Sequence, residues 1–325
     1  MGAAQTVVAR RDVPNARSLH AFPIPRAGGY AIWLGFVPAA LAFAPAFPSG
    51  LGGWLPPLVA LIVVSGRDDA KEVGVAARLS VHGLAALWTA IALVLASGGA
   101  SGMDGARSLF VAACVALVIA WSANLYNFMD GIDGLAGTMG AIGFAAYGVA
   151  GVTEAQGNGV GARSAPAFAA LAAAILPFLA VNLPRARMFL GDVGAVPLGY
   201  LAAAFGVAGV VEHMWSPWFP VLVFLPFVAD ATLTLVRRIA RGERLWEGHR
   251  LHYYQRLAQL GAGHRGTLGV YALLMAGMAL TAIACRAGAP GAGWWALAAW
   301  CVVVLMLFAA IDYHWHKKTG IPSPR

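Results

Sequence analysis

Asn124-Leu-Tyr-Asn127-Phe-Met-Asp130-Gly-Ile-Asp133-Gly134-Leu-Ala136 joins one apolar run, Leu109 to Ala123, to another, Leu135 to Val152. Two carboxylates and two carboxamides therefore stand where the chain leaves one hydrophobic stretch and enters the next. Ionisable groups are expensive in lipid and are placed at wet mouths or functional cavities. Gly131 and Gly134 permit a sharp turn and close approach of a ligand. Taken alone, the stretch also reads as a capped polar turn between two membrane helices. It is a poor calcium loop, because the EF-hand spacing and its distal Glu are missing.

The flanks carry the same message. The 325-residue chain is 60% hydrophobic and 11% charged, with 40 glycines, and its mean hydropathy is +0.71. Such a composition excludes a soluble domain. A span needs about 20 mostly apolar residues, and ten stretches qualify, near 30–47, 51–66, 80–97, 108–126, 134–152, 165–182, 193–211, 217–236, 267–286 and 294–312. Only Arg107, Arg163 and Arg286 fall on one side of this pattern; the other nineteen of the 22 basic residues fall on the opposite side. The positive-inside rule makes that side cytoplasmic. The expectation is an all-α polytopic bundle of about ten transmembrane helices with both termini inside. It forms a single domain over 1–325, with a basic cytoplasmic segment at 1–29 and a large cytoplasmic loop at 237–266. The net charge of +8 needs no nucleic acid to explain it. Cys114, Cys285 and Cys301 lie in apolar stretches without metal-ligand spacing and read as core packing.

Further polar clusters punctuate the cytoplasmic connections. The amino-terminal Pro14-Asn15-Ala-Arg17-Ser18-Leu-His20 and Pro25-Arg26-Ala-Gly28-Gly29 are basic and too polar to span. They read as a positive-inside anchor or as a lip for an anionic headgroup. Asp68-Asp69 is followed by Arg78; adjacent carboxylates repel unless a cation or proton lies between them, which suggests metal or proton chemistry. Phe189-Leu-Gly191-Asp192-Val-Gly194 places another carboxylate directly before a span. His249-Arg250-Leu-His252 would put both histidines on one face if helical. Beside arginines such a pair suits phosphate better than zinc, since no cysteine joins it. Asp230, inside the eighth stretch, reads as a neutral or paired structural carboxylate. Four clusters of oxygen ligands and cations at one membrane face describe a metal–phosphate site, and hard carboxylate and amide oxygens suit Mg²⁺. Phosphoryl transfer uses this equipment.

The ordered set of Asp68-Asp69, Asn124-x-x-Asn127-x-x-Asp130-Gly-Ile-Asp133-Gly-Leu-Ala, Phe189-Leu-Gly-Asp192-x-Gly194 and His249-Arg-Leu-His252 resembles the polyprenyl-phosphate N-acetylhexosamine-1-phosphate transferases. The amino-terminal Pro-Asn-x-Arg-Ser-x-His and Pro-Arg-x-Gly-Gly segments extend the resemblance, which runs from about residue 12 to 260. It implies an enzyme in the bacterial cytoplasmic membrane, with its active site on the cytoplasmic face. Such an enzyme transfers a sugar 1-phosphate from a UDP-N-acetylhexosamine to undecaprenyl phosphate and releases UMP. The Arg-containing histidine motif is more similar to the branch that initiates O-antigen and related surface glycans than to the triple-histidine peptidoglycan branch. The family usually has a span before the Pro-Asn-x-Arg-Ser-x-His segment, which here begins almost at Met1, and often has Ser where this chain has Ala195.

By the same resemblance, Asp192 is the expected ligand of Mg²⁺ (or Mn²⁺), with Asn127 as a second. Asp68 and Asp69 would position the lipid phosphate or metal. Asp130 and Asp133 would serve catalysis and the nucleotide end, with Asn124 on the nucleotide and sugar side. His249, Arg250, His252 and Arg78 would hold phosphates. A homodimer is compatible with this reading. Transfer could proceed by direct attack of the acceptor phosphate or through a covalent aspartyl intermediate. An ion-coupled transporter also places carboxylates in a membrane, but it predicts midplane charges and a repeat between halves, and neither is visible. A scaffold for glycan-assembly partners would leave the ordered acidic motifs unexplained.

Overall fold

In lipid a backbone must satisfy its own polar groups, so apolar runs coil into helices, and the described residues of these runs are largely helical. The structure is a computed structural model that describes residues 11–12, 24–42, 50–71, 73–97, 105–153, 159–243 and 250–320. A short antiparallel pair, β1 (Arg11–Asp12) and β2 (Ile24–Pro25), precedes the helices. Then come α1 (Gly28–Ala42), α2 (Gly50–Ala70), α3 (Val75–Ala96), α4 (Gly105–Phe128), α5 (Leu135–Val152), α6 (Val160–Asn182) and α7 (Asp192–Val211). They are followed by α8 (Trp218–Val223), α9 (Leu225–Ala240), α10 (Tyr253–Leu257), a π-turn (Ala258–Ala262), α11 (Gly263–Arg286) and α12 (Ala292–Thr319).

Among the described residues, eight helical runs are long and apolar enough to cross a bilayer, so the chain is a multi-pass membrane protein. Two of the ten expected spans differ from that description. α1 has 15 described residues, and the stretch near 217–236 is divided at Phe224 into α8 and α9. The division coincides with Pro226 at the start of α9, which has no N–H to continue the ladder.

α7 is the centre of the bundle. Its span is 83% buried, against 17% for the peripheral α12, and α1, α2, α3, α4 and α5 all pack on it. Lipid removes most of the hydrophobic drive between helices, so close packing through small residues takes over. The α5–α6 seam is the most extensive contact in the molecule and runs on glycines. A Cβ added at Gly151 would lie 2.6 Å from the Gly161 carbonyl oxygen, and one at Gly137 2.8 Å from Leu179. The α4–α7 seam is tied by Ser122, whose hydroxyl donates to the Gly199 carbonyl at 2.8 Å. Cys114 departs from expectation: it is exposed on the outer surface of α4, while Cys285 and Cys301 are half-buried. Helical period decides this, since an apolar residue on a peripheral helix can face lipid as readily as the core.

Candidate active site

The polar connections converge on one end of the bundle because α2 and α4 end there while α3, α5 and α7 begin there. Asp69, on the last turn of α2, accepts the Val193 N–H at 3.1 Å, so a carboxylate meets the positive end of the α7 dipole. It also pairs with Arg26 at 3.3 Å. Asp68 accepts the Val73 N–H at 2.7 Å and pairs with Arg78 at 2.5 Å. Arg78 reaches Asp192 as well, at 3.5 Å, and the Asn127 amide donates to the same Asp192 oxygen at 3.4 Å. Arg26, Asp68, Asp69, Arg78, Asn127 and Asp192 are thus one contiguous network from five different segments. Side-chain exposure ranks its carboxylates: Asp192 is 22% exposed, Asp68 11% and Asp69 5%. Asp192 is the most open to a ligand, and Asp69 serves as an anchor.

The loop that delivers Asp192 is shaped by its neighbours. The N–H groups of Gly28 and Gly29 donate to the carbonyls of Phe189 and Leu190 at 2.9 and 3.0 Å, and Phe189 N–H donates to the Pro25 carbonyl at 2.9 Å. The Trp33 indole N–H donates to the Val193 carbonyl at 2.7 Å. The Pro25-Arg26-Ala-Gly28-Gly29 segment is therefore a strap laid along the Asp192 loop, and Arg26 faces Asp69 as well as the outside. Gly191 turns into α7 with φ +73°, and a Cβ there would come 2.8 Å from the Asp69 carboxylate.

The opening motif divides between two environments. Asn127 faces Asp192, while Asn124, a turn earlier, donates to the Ala120 carbonyl at 2.7 Å and lies beside His82. Asp130 follows α4; burial pushes its carboxyl well above the usual range, the Asp192, Asp69 and Asp133 charges push the same way, and Arg26 opposes them. Asp133 points elsewhere. It accepts the Ala186 N–H at 3.2 Å and pairs with His264 at 3.3 Å, so it joins this loop to the one before α7 and to the start of α11. Asn182 reinforces that junction, accepting the Gly134 N–H at 2.5 Å and donating to the Met188 carbonyl at 2.7 Å.

His249 lies outside the described residues, as do Pro14 to His20. His252 is the extended residue that caps α10, so the shared helical face considered for the two histidines does not form there. It is buried, stacks on Phe128, and its Nδ1 lies 3.3 Å from Asp230. Asp230 is fully buried. It also accepts the N–H groups of Tyr253 and Tyr254, each at 2.9 Å, and the Tyr271 hydroxyl at 2.5 Å. This lone carboxylate fixes the histidine, and through the Tyr254 hydroxyl, which donates to the Phe128 carbonyl at 3.0 Å, joins its loop to the opening motif. Arg250 is half-buried at the entrance to this loop, and its carbonyl accepts from Gln259 at 3.4 Å.

Among the described residues no three His, Cys, Asp or Glu side chains are grouped to hold an ion by themselves. Mg²⁺ does not require that. It commonly takes one or two carboxylates and completes its shell with water and substrate phosphates. An open Asp192 beside the Asn127 amide, with Asp68 sharing its arginine, is a hard-oxygen donor set of that kind.

Residues 52–210 match the family model "Glycosyl transferase family 4", a range holding every carboxylate of the network. The chain is 29% identical over 284 residues to a decaprenyl-phosphate N-acetylglucosaminephosphotransferase of Mycobacterium leprae, covering 78% of this chain and 71% of that protein. It is 25% identical to a probable undecaprenyl-phosphate N-acetylglucosaminyl 1-phosphate transferase of Bacillus subtilis, covering 81% and 74%. A phospho-N-acetylmuramoyl-pentapeptide-transferase of Thermotoga neapolitana is 36% identical over 69 residues, 21% of each chain.

Proposed function

Because the chain belongs to glycosyl transferase family 4, among the polyprenyl-phosphate N-acetylhexosamine-1-phosphate transferases, we propose that it moves a sugar 1-phosphate from a UDP-N-acetylhexosamine to undecaprenyl phosphate. The product is a lipid-linked pyrophosphoryl sugar that initiates a surface glycan. The observation that carries this reading is the Asp68–Arg78–Asp192–Asn127 network, which joins three sequence motifs at one end of the bundle. N-acetylglucosamine is the favoured sugar, because the relatives matched over most of the chain are named for it and the muramoyl-pentapeptide relative matches only a fifth.

In this reading Asp192 and Asn127 would hold Mg²⁺, with Asp68 alongside. When bound, the ion neutralises pyrophosphate charge. Arg78 and Arg26 add fixed positive charge to the same mouth and orient phosphate oxygens. The acceptor is a phosphate monoester with a second pKa near 6, so it is largely dianionic at pH 7 and needs little deprotonation. Its oxygen attacks the sugar-bearing phosphorus in line. The bond from that phosphorus to the bridging oxygen breaks, and UMP leaves with the oxygen. Direct attack is favoured over an aspartyl intermediate, since both Asp68 oxygens are engaged by Val73 and Arg78 and Asp69 is held by Val193 and Arg26. His252, held by Asp230, and Arg250 would meet the phosphates from the α10 side, on the cytoplasmic surface of the inner membrane.

The test uses membranes carrying the protein, undecaprenyl phosphate and radiolabelled UDP-N-acetylglucosamine. Label should enter the organic phase only with Mg²⁺ or Mn²⁺. Full transfer in excess chelator would sink the metal assignment, and no transfer from any UDP-N-acetylhexosamine would sink the reaction.

A further inference from the structure

α12 is 28 residues long, which at about 1.5 Å per residue is roughly 40 Å, more than the hydrocarbon thickness of about 30 Å. Its polar last turns, from Asp312 onward, therefore stand at headgroup level. There, between α12 and the segment running from α10 through the π-turn, lies a groove of 530 Å³. Leu257, Leu260, Leu307 and Ile311 form its walls, and His314, Lys317 and Lys318 form its rim. None of the described lining residues is acidic. The neighbouring Asp312 does not neutralise the rim, because its carboxylate is taken by Arg237 at 2.6 Å and Arg256 at 2.8 Å. Lys318 donates to the Gln259 carbonyl at 2.6 Å across the groove; an ammonium has three donors, so this bond does not exhaust it.

Apolar walls beneath a cationic rim, at the depth where a bilayer changes from acyl chain to phosphate, complement one class of molecule: an anionic amphiphile. The volume falls within the range that holds a ligand of drug size, enough for a headgroup and the upper part of one chain. We propose that this groove binds one anionic glycerophospholipid from the surrounding leaflet, with its phosphate on His314, Lys317 and Lys318 and an acyl chain along the leucines. A resident lipid is preferred to the polyprenyl acceptor because of where the groove lies. α12 packs on α8, α9, α10 and α11, whereas Asp68, Asp69 and Asp192 belong to α2 and α7. The helices carrying those carboxylates are not among the main packing partners of α12, so the lipid braces the α10 segment and does not react.

Delipidated full-length protein should be titrated with dioleoyl-phosphatidylglycerol and, separately, with dioleoyl-phosphatidylcholine, counting bound lipids by native mass spectrometry. One phosphatidylglycerol is expected to bind at least tenfold more tightly than phosphatidylcholine. A lysine near an anionic surface contributes about fivefold in affinity, so Lys317→Gln with Lys318→Gln should weaken phosphatidylglycerol roughly 25-fold and erase the preference. Ala310→Trp, at an exposed groove position, keeps the charges and should weaken both lipids by filling the wall. Equal binding of the two lipids by the unaltered chain would overturn the proposal, as would a preference surviving in the double variant. Stoichiometric displacement of phosphatidylglycerol by undecaprenyl phosphate at tenfold lower concentration would reassign the groove to the acceptor. None of these readings depends on transfer activity.

Discussion

At the residue scale, Asp192 and Asp230 do different work, and substitution should separate them. Asp192→Asn keeps the shape of a half-open side chain while removing its charge. Losing one preorganised electrostatic partner costs on the order of 10²–10³ in rate, so transfer should fall by at least that factor with membrane insertion and detergent behaviour unchanged. Full activity in this variant at all Mg²⁺ concentrations would refute the metal site. Asp230→Asn instead sets an NH₂ group among the Tyr253, Tyr254 and Tyr271 donors. Each buried donor left unmatched costs about 1–3 kcal/mol, so the melting temperature in detergent should drop sharply, while Tyr271→Phe should lose only about 1 kcal/mol. Asp130 provides a pH handle. An acid raised in the fold is best accommodated protonated, so its contribution to stability is complete below its unfolded pKa of about 4. That contribution is lost as pH rises through the higher folded value. Thermal melts of the Mg²⁺-free protein should show this decline, and Asp130→Asn should flatten it.

At the element scale, the strap and the glycine seams determine where the site residues stand. Gly191→Ala strains an extended, positive-φ backbone that is essentially open only to glycine, by about 1–3 kcal/mol, and drives a methyl into Asp69. Transfer should fall with little change in the rest of the bundle, checked by kcat alongside circular dichroism. Gly151→Ala, far from the chemistry, presses on a backbone carbonyl and should cost about 1–3 kcal/mol of stability. Sequence exposed the acidic loops because a carboxylate between two apolar runs needs explaining, and eight of its ten expected spans are long apolar helices among the described residues, because apolar length is easily read. Other features were hidden for definite reasons. Asp230 is a single carboxylate whose histidine and tyrosine partners lie 22 to 41 positions away, a relation no local pattern records. Arg26 has the sequence of a surface anchor, and only the pairing of its strap with Phe189 and Leu190 brings it to Asp69. Asn182, the last residue of α6, staples its own loop to Gly134, 48 positions away. The division at Phe224 fell inside an apolar run whose hydropathy never drops.

At the scale of the whole molecule, the two ends differ in kind. The site end gathers the carboxylate network and the Arg237–Asp312–Arg256 cluster. At the other end, Arg286 donates to the carbonyls of Ala150 and Met214 and braces α5 and α11 without any ligand chemistry. Cysteines placed in a background lacking Cys114, Cys285 and Cys301 should report this polarity in intact cells. Gly105→Cys is expected to react with a membrane-impermeant thiol reagent, and Arg185→Cys only after permeabilisation. The reverse pattern would turn the site outward and remove UDP-sugars from its reach.

The glycine seam between α5 and α6 also constrains the gene. Every glycine codon begins with two guanines, and a change at either base encodes a larger side chain or a stop. Gly137 and Gly151 already touch side chain or backbone at distances a Cβ cannot share, so these codons have no neutral step at their first two bases. Lineages of this chain are expected to drift instead at outward positions such as Val149 and Leu176, which are 45% and 56% exposed, and to keep the two helices at their present separation.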